Sequence, residues 1–157
     1  MPLIKLETTI NAAIEICFDL SRSIDLHKIS TAKTNETAVG GITKGLINYN
    51  EFVTWQAKHF GIRQKLTSKI TVYNRPFHFC DEQINGAFKK IKHDHYFFER
   101  DNMVLMTDDF LFESPFGIVG HTFNKLVLTE YLKRFLMERN QIIKDYAETG
   151  KWKQLLL

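Results

Sequence analysis

Cysteine is scarce in this chain. Cys17 and Cys80 are the two among 157 residues, and they have neither a CxxC spacing nor that of a metal module. A disulfide framework is therefore not indicated, and two buried thiols in a reducing compartment are expected. Net charge is also small: 21 Lys and Arg stand against 18 Asp and Glu, giving +3. That permits an anionic partner without arguing for one. No apolar run reaches the roughly 18 residues that a membrane-spanning helix needs, so no span is expected. The first residues carry no leader pattern, and a cytoplasmic location follows by default. There is no internal repeat and no low-complexity tract. What remains is an ordinary globular composition, 44% hydrophobic and 25% charged, with thirteen phenylalanines. The length is one domain's worth, residues 1–157, and the aromatic load implies a bulky, ring-lined interior.

The longest periodic segment runs from Ser114 to about Glu148. Ser114 and Pro115 read as a helix start, and Gly150 as a stop. Between them Ile118, Val119, Phe123, Leu126, Val127, Tyr131, Leu132, Phe135, Leu136, Ile142, Ile143 and Tyr146 recur at three- and four-residue steps. Glu130, Lys133, Arg134, Glu138, Arg139 and Lys144 fill much of the other side, which predicts an amphipathic helix. Such a helix needs a large partner surface, since packing supplies most of its stability.

That partner is the strand-rich run from Glu51 to Glu113. Five strands are predicted, over 51–60, 62–73, 77–84, 88–100 and 103–113, separated by Gly61, Asn74 to Pro76, Asn85-Gly86 and Asp101-Asn102. Connections this short force antiparallel neighbours. A further strand over Leu3–Ile10 and two brief helices, over Ala12–Leu20 and Ser21–Ile29 with Asn11 as a cap, precede them. Thr31–Asn50, rich in Thr, Asn and Gly, reads as a loop that borders and could cover a pocket.

Alternation within each strand gives the interior face. It contains Glu51, Val53, Trp55, Ala57 and His59; then Ile62, Gln64, Leu66, Ser68, Ile70 and Val72. Ile91, His93, His95 and Phe97 follow on the fourth strand. On the third and fifth strands hydrophobicity alone is ambiguous, and the faces carrying phenylalanine are chosen: Phe77, Phe79, Asp81 and Gln83, then Val104, Met106, Asp108, Phe110 and Phe112. The opposite face carries a basic patch, Lys89, Lys90 and Lys92 with Arg63, Lys65 and Lys69, which reads as a solvated surface. No nucleic-acid partner is expected, because stacking groups there are few.

The order of these elements resembles the helix-grip fold of the START-like, or SRPBCC, superfamily, which includes lipid-transfer domains, pollen-allergen-like plant proteins and polyketide cyclases. The runs Glu51–Gly61, Phe79–Gln83, Gly86–Phe88, His93–His95, Asp108 and Ser114–Gly117 look like a bacterial ligand-binding subgroup of it. The resemblance implies an α+β domain. A curved antiparallel sheet of about six strands would wrap a long C-terminal helix, with two short helices after the first strand. It does not fix a reaction, since function belongs to sites rather than folds.

The function expected is binding or transport of a small, mostly hydrophobic molecule between sheet and helix. Its lining is expected from Glu51, Trp55, His59, Gln64, Phe79, Asp81, Gln83, His93, His95, Phe97, Met106, Asp108, Phe110 and Phe123. The alternative is a cyclase- or dehydratase-type enzyme in which His93, His95 and Asp108 transfer protons. A protein-interaction module is a third reading, and a second copy of the chain is the one protein partner left open. His93 and His95, two apart on one strand, should be flanked by Asp81 and Asp108 across neighbouring strands. Three roles compete for that group: a structural network, a polar anchor or proton-transfer site, and a metal site, for which a His-x-His pair and a carboxylate supply donors. Nothing further singles out a metal, so no cofactor and no metal are expected.

Overall fold

The computed structural model describes residues 1–114 and 127–157. Strand β1 (Leu3–Ile10) is followed by helices α1 (Ile14–Ser21) and α2 (Ile24–Ser30). A short 3-10 turn (Ala32–Thr34) leads to β2 (Thr37–Gly41), and then come β3 (Phe52–His59), β4 (Ile62–Asn74), β5 (His78–Gly86), β6 (Lys90–Arg100) and β7 (Met103–Glu113). Helix α3 (Thr129–Thr149) and a terminal turn of helix, α4 (Lys153–Leu156), complete the chain. The strands form one antiparallel sheet in the order β1-β7-β6-β5-β4-β3-β2. Sequential hairpins build it from β2 to β7, and β1 returns to pair with β7.

Four expectations change. The loop predicted over Thr31–Asn50 contains β2, so the sheet has seven strands. This strand is short, lies at the sheet edge and holds two glycines, so no apolar alternation marks it. Gly41 has φ +69°, and a Cβ there would run into the Phe52 carbonyl. Second, α1 starts at Ile14 with no side-chain cap; the Asn11 N–H instead binds Glu148 Oε1 at 2.9 Å. Ser23 caps α2, accepting from the Leu26 N–H at 3.2 Å. Third, a bulge at Thr71 places two residues of β4 opposite one of β5. Beyond it the faces exchange: Val72 turns out, and Tyr73 turns in to meet Phe18 edge-to-face at 5.5 Å. Fourth, Ile62 and Phe77, expected inside, are exposed because they sit at hairpin ends beyond the covering helices.

The long helix is described from Thr129 to Thr149, 21 residues, which at 1.5 Å per residue is about 30 Å. Its predicted start at Ser114-Pro115 runs into residues 115–126, which also hold the apolar positions Ile118, Val119, Phe123 and Leu126 and lie outside the described residues. Gly150 ends it in the left-handed conformation with φ 76°, as expected. The buried stripe is Leu132, Leu136, Arg139, Asn140, Ile143 and Ala147. Arg139, assigned to the solvent face from its charge, is therefore an interior residue, 5% exposed.

The interior has two apolar halves. One, under α1 and α2, gathers Phe18, Phe97, Met106 and Ile143; the other, nearer the start of α3, gathers Ile91, Phe110, Leu132 and Leu136. Cys17 lies in the first half, and its thiol is pushed up to about 12, chiefly by burial. Between the halves runs a polar layer. It takes His93 and His95 from β6, Asp108 from β7, and Arg139 and Asn140 from α3, all buried, with Asp81 of β5 at its margin. Each element thus changes from apolar to polar and back within a few residues.

Candidate functional site

The polar layer is set by strand register. Asp81 is paired with His93 and His95 with Asp108, so both acids flank the histidine pair as expected. The hydrogen bonds run diagonally: His93 Nε2 to Asp108 Oδ1 at 2.8 Å, and His95 Nε2 to Asp81 Oδ2 at 2.9 Å. His95 Nδ1 lies 3.1 Å from the same Asp108 oxygen, without an aligned hydrogen bond. The two imidazole centroids are 3.7 Å apart. From α3, Asn140 Nδ2 donates to Asp108 Oδ2 at 2.6 Å, and Arg139 Nη1 stands 3.7 Å from Asp108 Oδ1 while Nη2 donates to the Ser21 carbonyl at 3.0 Å.

Burial alone would raise both carboxylates, but the hydrogen bonds from the histidines hold Asp81 below its usual range and Asp108 well below. Burial pushes His93 down, and the neighbouring His95 adds to that. Burial pushes His95 down too, but the close approach of the Asp108 carboxylate and the hydrogen bond to Asp81 outweigh it and hold that ring up.

A cavity of about 160 Å³ opens beside this layer, between the sheet and α3. Of the expected lining residues, Trp55, His59, Phe79, Asp81, His93, His95 and Phe110 reach it. The others do not. Phe97 and Met106 pack beneath α1, which covers that half of the sheet; Phe97 is edge-on to Phe18, and Met106 sulfur accepts from the Ser21 hydroxyl at 3.5 Å. Asp108, 0% exposed, stands behind the histidines. Glu51 precedes β3, and its carboxylate accepts from the Asn48 N–H at 2.7 Å. Gln83 donates to the Phe88 carbonyl at 2.7 Å. Gln64 borders a second cavity of about 230 Å³ near the β3–β4 hairpin, shared with Phe60, Ile62 and Tyr131. Phe123 falls outside the described residues.

Several residues of the site carried no sequence signal that was used. Arg139 and Asn140 are the most consequential; position 139 continues the 132–136 step toward 143, which places it on the buried stripe despite its charge. His27 stacks on Trp55 with centroids 4.2 Å apart, and its Nε2 lies 3.0 Å from Glu36 Oε2. Both line the cavity, as does Ile47, so the Thr31–Asn50 stretch contributes to the wall. Burial would raise Glu36, but His27 holds it below its ordinary 4.5. His59, on the same wall, has Nδ1 2.7 Å from the Tyr131 hydroxyl and is lowered by burial.

The Glu36 contact gives an acid-stability expectation. A carboxylate depressed in the folded state stabilises above its unfolded pKa, and that contribution is lost as pH falls through the folded value. Glu36→Gln should thus be less stable than the parent at neutral pH, with the two converging below the ordinary 4.5. Urea midpoints measured across that range check it; a difference independent of pH would contradict the assignment.

No family model matches the chain, and no curated protein matches its sequence. Solved structures do resemble it. TTHA0849 from Thermus thermophilus superposes with a TM-score of 0.70 at 15% identity, covering 90% of this chain and 97% of that one. The ginseng major latex-like protein 151 from Panax ginseng gives 0.68 at 15% identity, with 93% and 97% covered. Protein Ms6760 from Mycobacterium smegmatis gives 0.63 at 14%, with 90% and 88% covered. The chain therefore shares the α+β helix-grip fold of these structures, a curved antiparallel sheet with a long C-terminal helix. Among the described residues no helix is long and apolar enough to cross a membrane.

Proposed function

We propose that the protein binds a small, mostly apolar molecule in the cavity between the sheet and α3, with the molecule's polar end toward His93, His95, Asp81 and Arg139. The observation that carries this reading is the wall's composition. Trp55, Phe79, Ile91, Phe110 and Leu136 supply apolar surface, and polar side chains interrupt it in two groups, Asp81, His93, His95 and Arg139 in one and His27, Glu36 and His59 in the other. An apolar pocket with a few placed polar groups is the usual form of a small-molecule site. The fold adds support, since helix-grip proteins in general hold ligands between sheet and long helix. A second reading, proton transfer on a bound substrate of the cyclase or dehydratase kind, is favoured by the His95–Asp81 hydrogen bond lying at the cavity wall.

Native mass spectrometry of freshly purified protein tests the first reading. A noncovalent adduct of small mass, released on denaturation, is expected. Trp55, the tryptophan on the cavity wall, gives a second readout in a Trp152→Phe background: anilinonaphthalene sulfonate should change its emission saturably. A bare chain in the spectrum together with no saturable response would refute the reading.

A further inference from the structure

We propose that Asp81, His93 and His95 form a binding site for one divalent transition-metal ion of the zinc or ferrous type, open to the cavity. The inference deepens the reading above and shares its cavity, but it rests on different atoms. His93 turns Nε2, and His95 turns Nδ1, toward one oxygen of Asp108. The remaining ring nitrogens, His93 Nδ1 and His95 Nε2, are thereby directed to the other side, where Asp81 Oδ2 lies 4.0 and 2.9 Å away. One donor atom from each of the three residues falls within 4.8 Å of the others. Ligand bonds of about 2.0–2.2 Å place two donors on one ion roughly 3–3.5 Å apart. The donors therefore have to close in by roughly an ångström, and the Asp81 side chain, 26% exposed, has room to move.

The surroundings are those of a metal centre. Histidine ligands are oriented by a carboxylate on their far nitrogens, and Asp108 is placed to serve both rings at once. It is fixed by Asn140, and its charge is balanced by Arg139. Asp81 is differently placed. Among the described residues no lysine or arginine lies within ion-pair distance of it; its ion pairs are with the two histidines. Its carboxylate is thus left for a cation. Two imidazoles and one carboxylate suit zinc or ferrous ions rather than calcium or magnesium, which prefer all-oxygen shells. Three protein ligands leave a coordination position facing the cavity, where an oxygen of the bound molecule would complete the shell.

The test uses full-length protein without a histidine tag, freed of metal with a chelator and titrated with Co²⁺ followed by Zn²⁺. One Co²⁺ per chain should bind, with visible ligand-field bands that Zn²⁺ abolishes. Asp81→Asn and His93→Ala should remove this binding. Asp108→Asn should weaken it by about 10- to 100-fold, the usual loss for an orienting partner. His78→Ala should leave it unchanged, since His78 pairs with Asp94 on the opposite face of the sheet, away from the cavity. Should a variant not fold, long-range nitrogen–proton spectra of the parent decide: Zn²⁺ should move the His93 and His95 ring resonances and leave those of His78 in place. Absence of stoichiometric binding, binding that survives Asp81→Asn, or unmoved His93 and His95 resonances would each overturn the proposal. Retained anilinonaphthalene sulfonate binding in that case would leave the reading of the cavity standing; metal binding without it would do the reverse.

Discussion

Replacing Asp108 by alanine should destabilise the protein by about 3–5 kcal/mol, the range for removing one partner of a buried charge pair. The carboxylate is fully buried and serves four groups: it accepts from His93 and Asn140 and stands beside His95 and Arg139. Its loss leaves the Arg139 guanidinium, itself buried, without a counter-charge. It also leaves the Asn140 amide and the His93 N–H facing a void. Against a total stability of roughly 5–15 kcal/mol, that is a large fraction. For a chain of this size it corresponds to a fall in melting temperature on the order of 10 °C. Urea denaturation followed by circular dichroism measures it. The neighbouring Asp109, whose Lys5 ion pair is largely exposed, provides the contrast. Asp109→Asn should change stability by no more than about 0.5 kcal/mol. Adding Arg139→Met to Asp108→Ala should recover part of the loss, because the unpaired charge goes with it. A loss below about 1 kcal/mol for Asp108→Ala would mean that water reaches the layer and that the network is not a closed one.

Much of this arrangement could be read from the chain, and the failures have identifiable causes. Period-two alternation placed His93 and His95 inside, the choice of the phenylalanine-bearing faces did the same for Asp81 and Asp108, and adjacent hairpins put them side by side. That worked because β5, β6 and β7 pair in register across this stretch. It failed at Val72 and Tyr73, where the Thr71 bulge adds one residue and inverts the faces; no local sequence feature marks it. Helical periodicity found α3, but charge was allowed to overrule it at position 139. The polar layer explains why a buried arginine is tolerated there: Asp108 and the Ser21 carbonyl receive it. The expected lining was too broad for a different reason. Alternation says which face of the sheet is covered and not by what. Phe97 and Met106 are on the inner face but lie under α1, whereas His93 and His95 lie where the cover is α3 and the cavity begins.

Filling the cavity should abolish ligand binding while sparing the fold. Ser68 is the position for this. It projects from the middle of β4, between Leu66 and Ile70, is buried, and lines the cavity opposite α3. Its backbone is held on both sides, paired with Val53 of β3 and Gln83 of β5, so a new side chain has a fixed origin and one direction to grow. Ser68→Phe would place an aromatic ring in a space of about 160 Å³ already walled by Trp55 and Phe79. Apolar area is gained and a buried hydroxyl removed, so the melting temperature should hold or rise, as cavity-filling substitutions commonly give. Anilinonaphthalene sulfonate affinity should fall by about 100-fold, equivalent to roughly 2.8 kcal/mol of lost binding. Ser68→Leu, with a smaller side chain, should give an intermediate loss, and it serves as the test if the phenylalanine overpacks the site. The pattern matters more than either number: affinity must fall with added volume at constant or rising stability. Unchanged affinity in both variants would move the binding site out of this cavity, with the second space near Gln64 and Tyr131 as the next place to look.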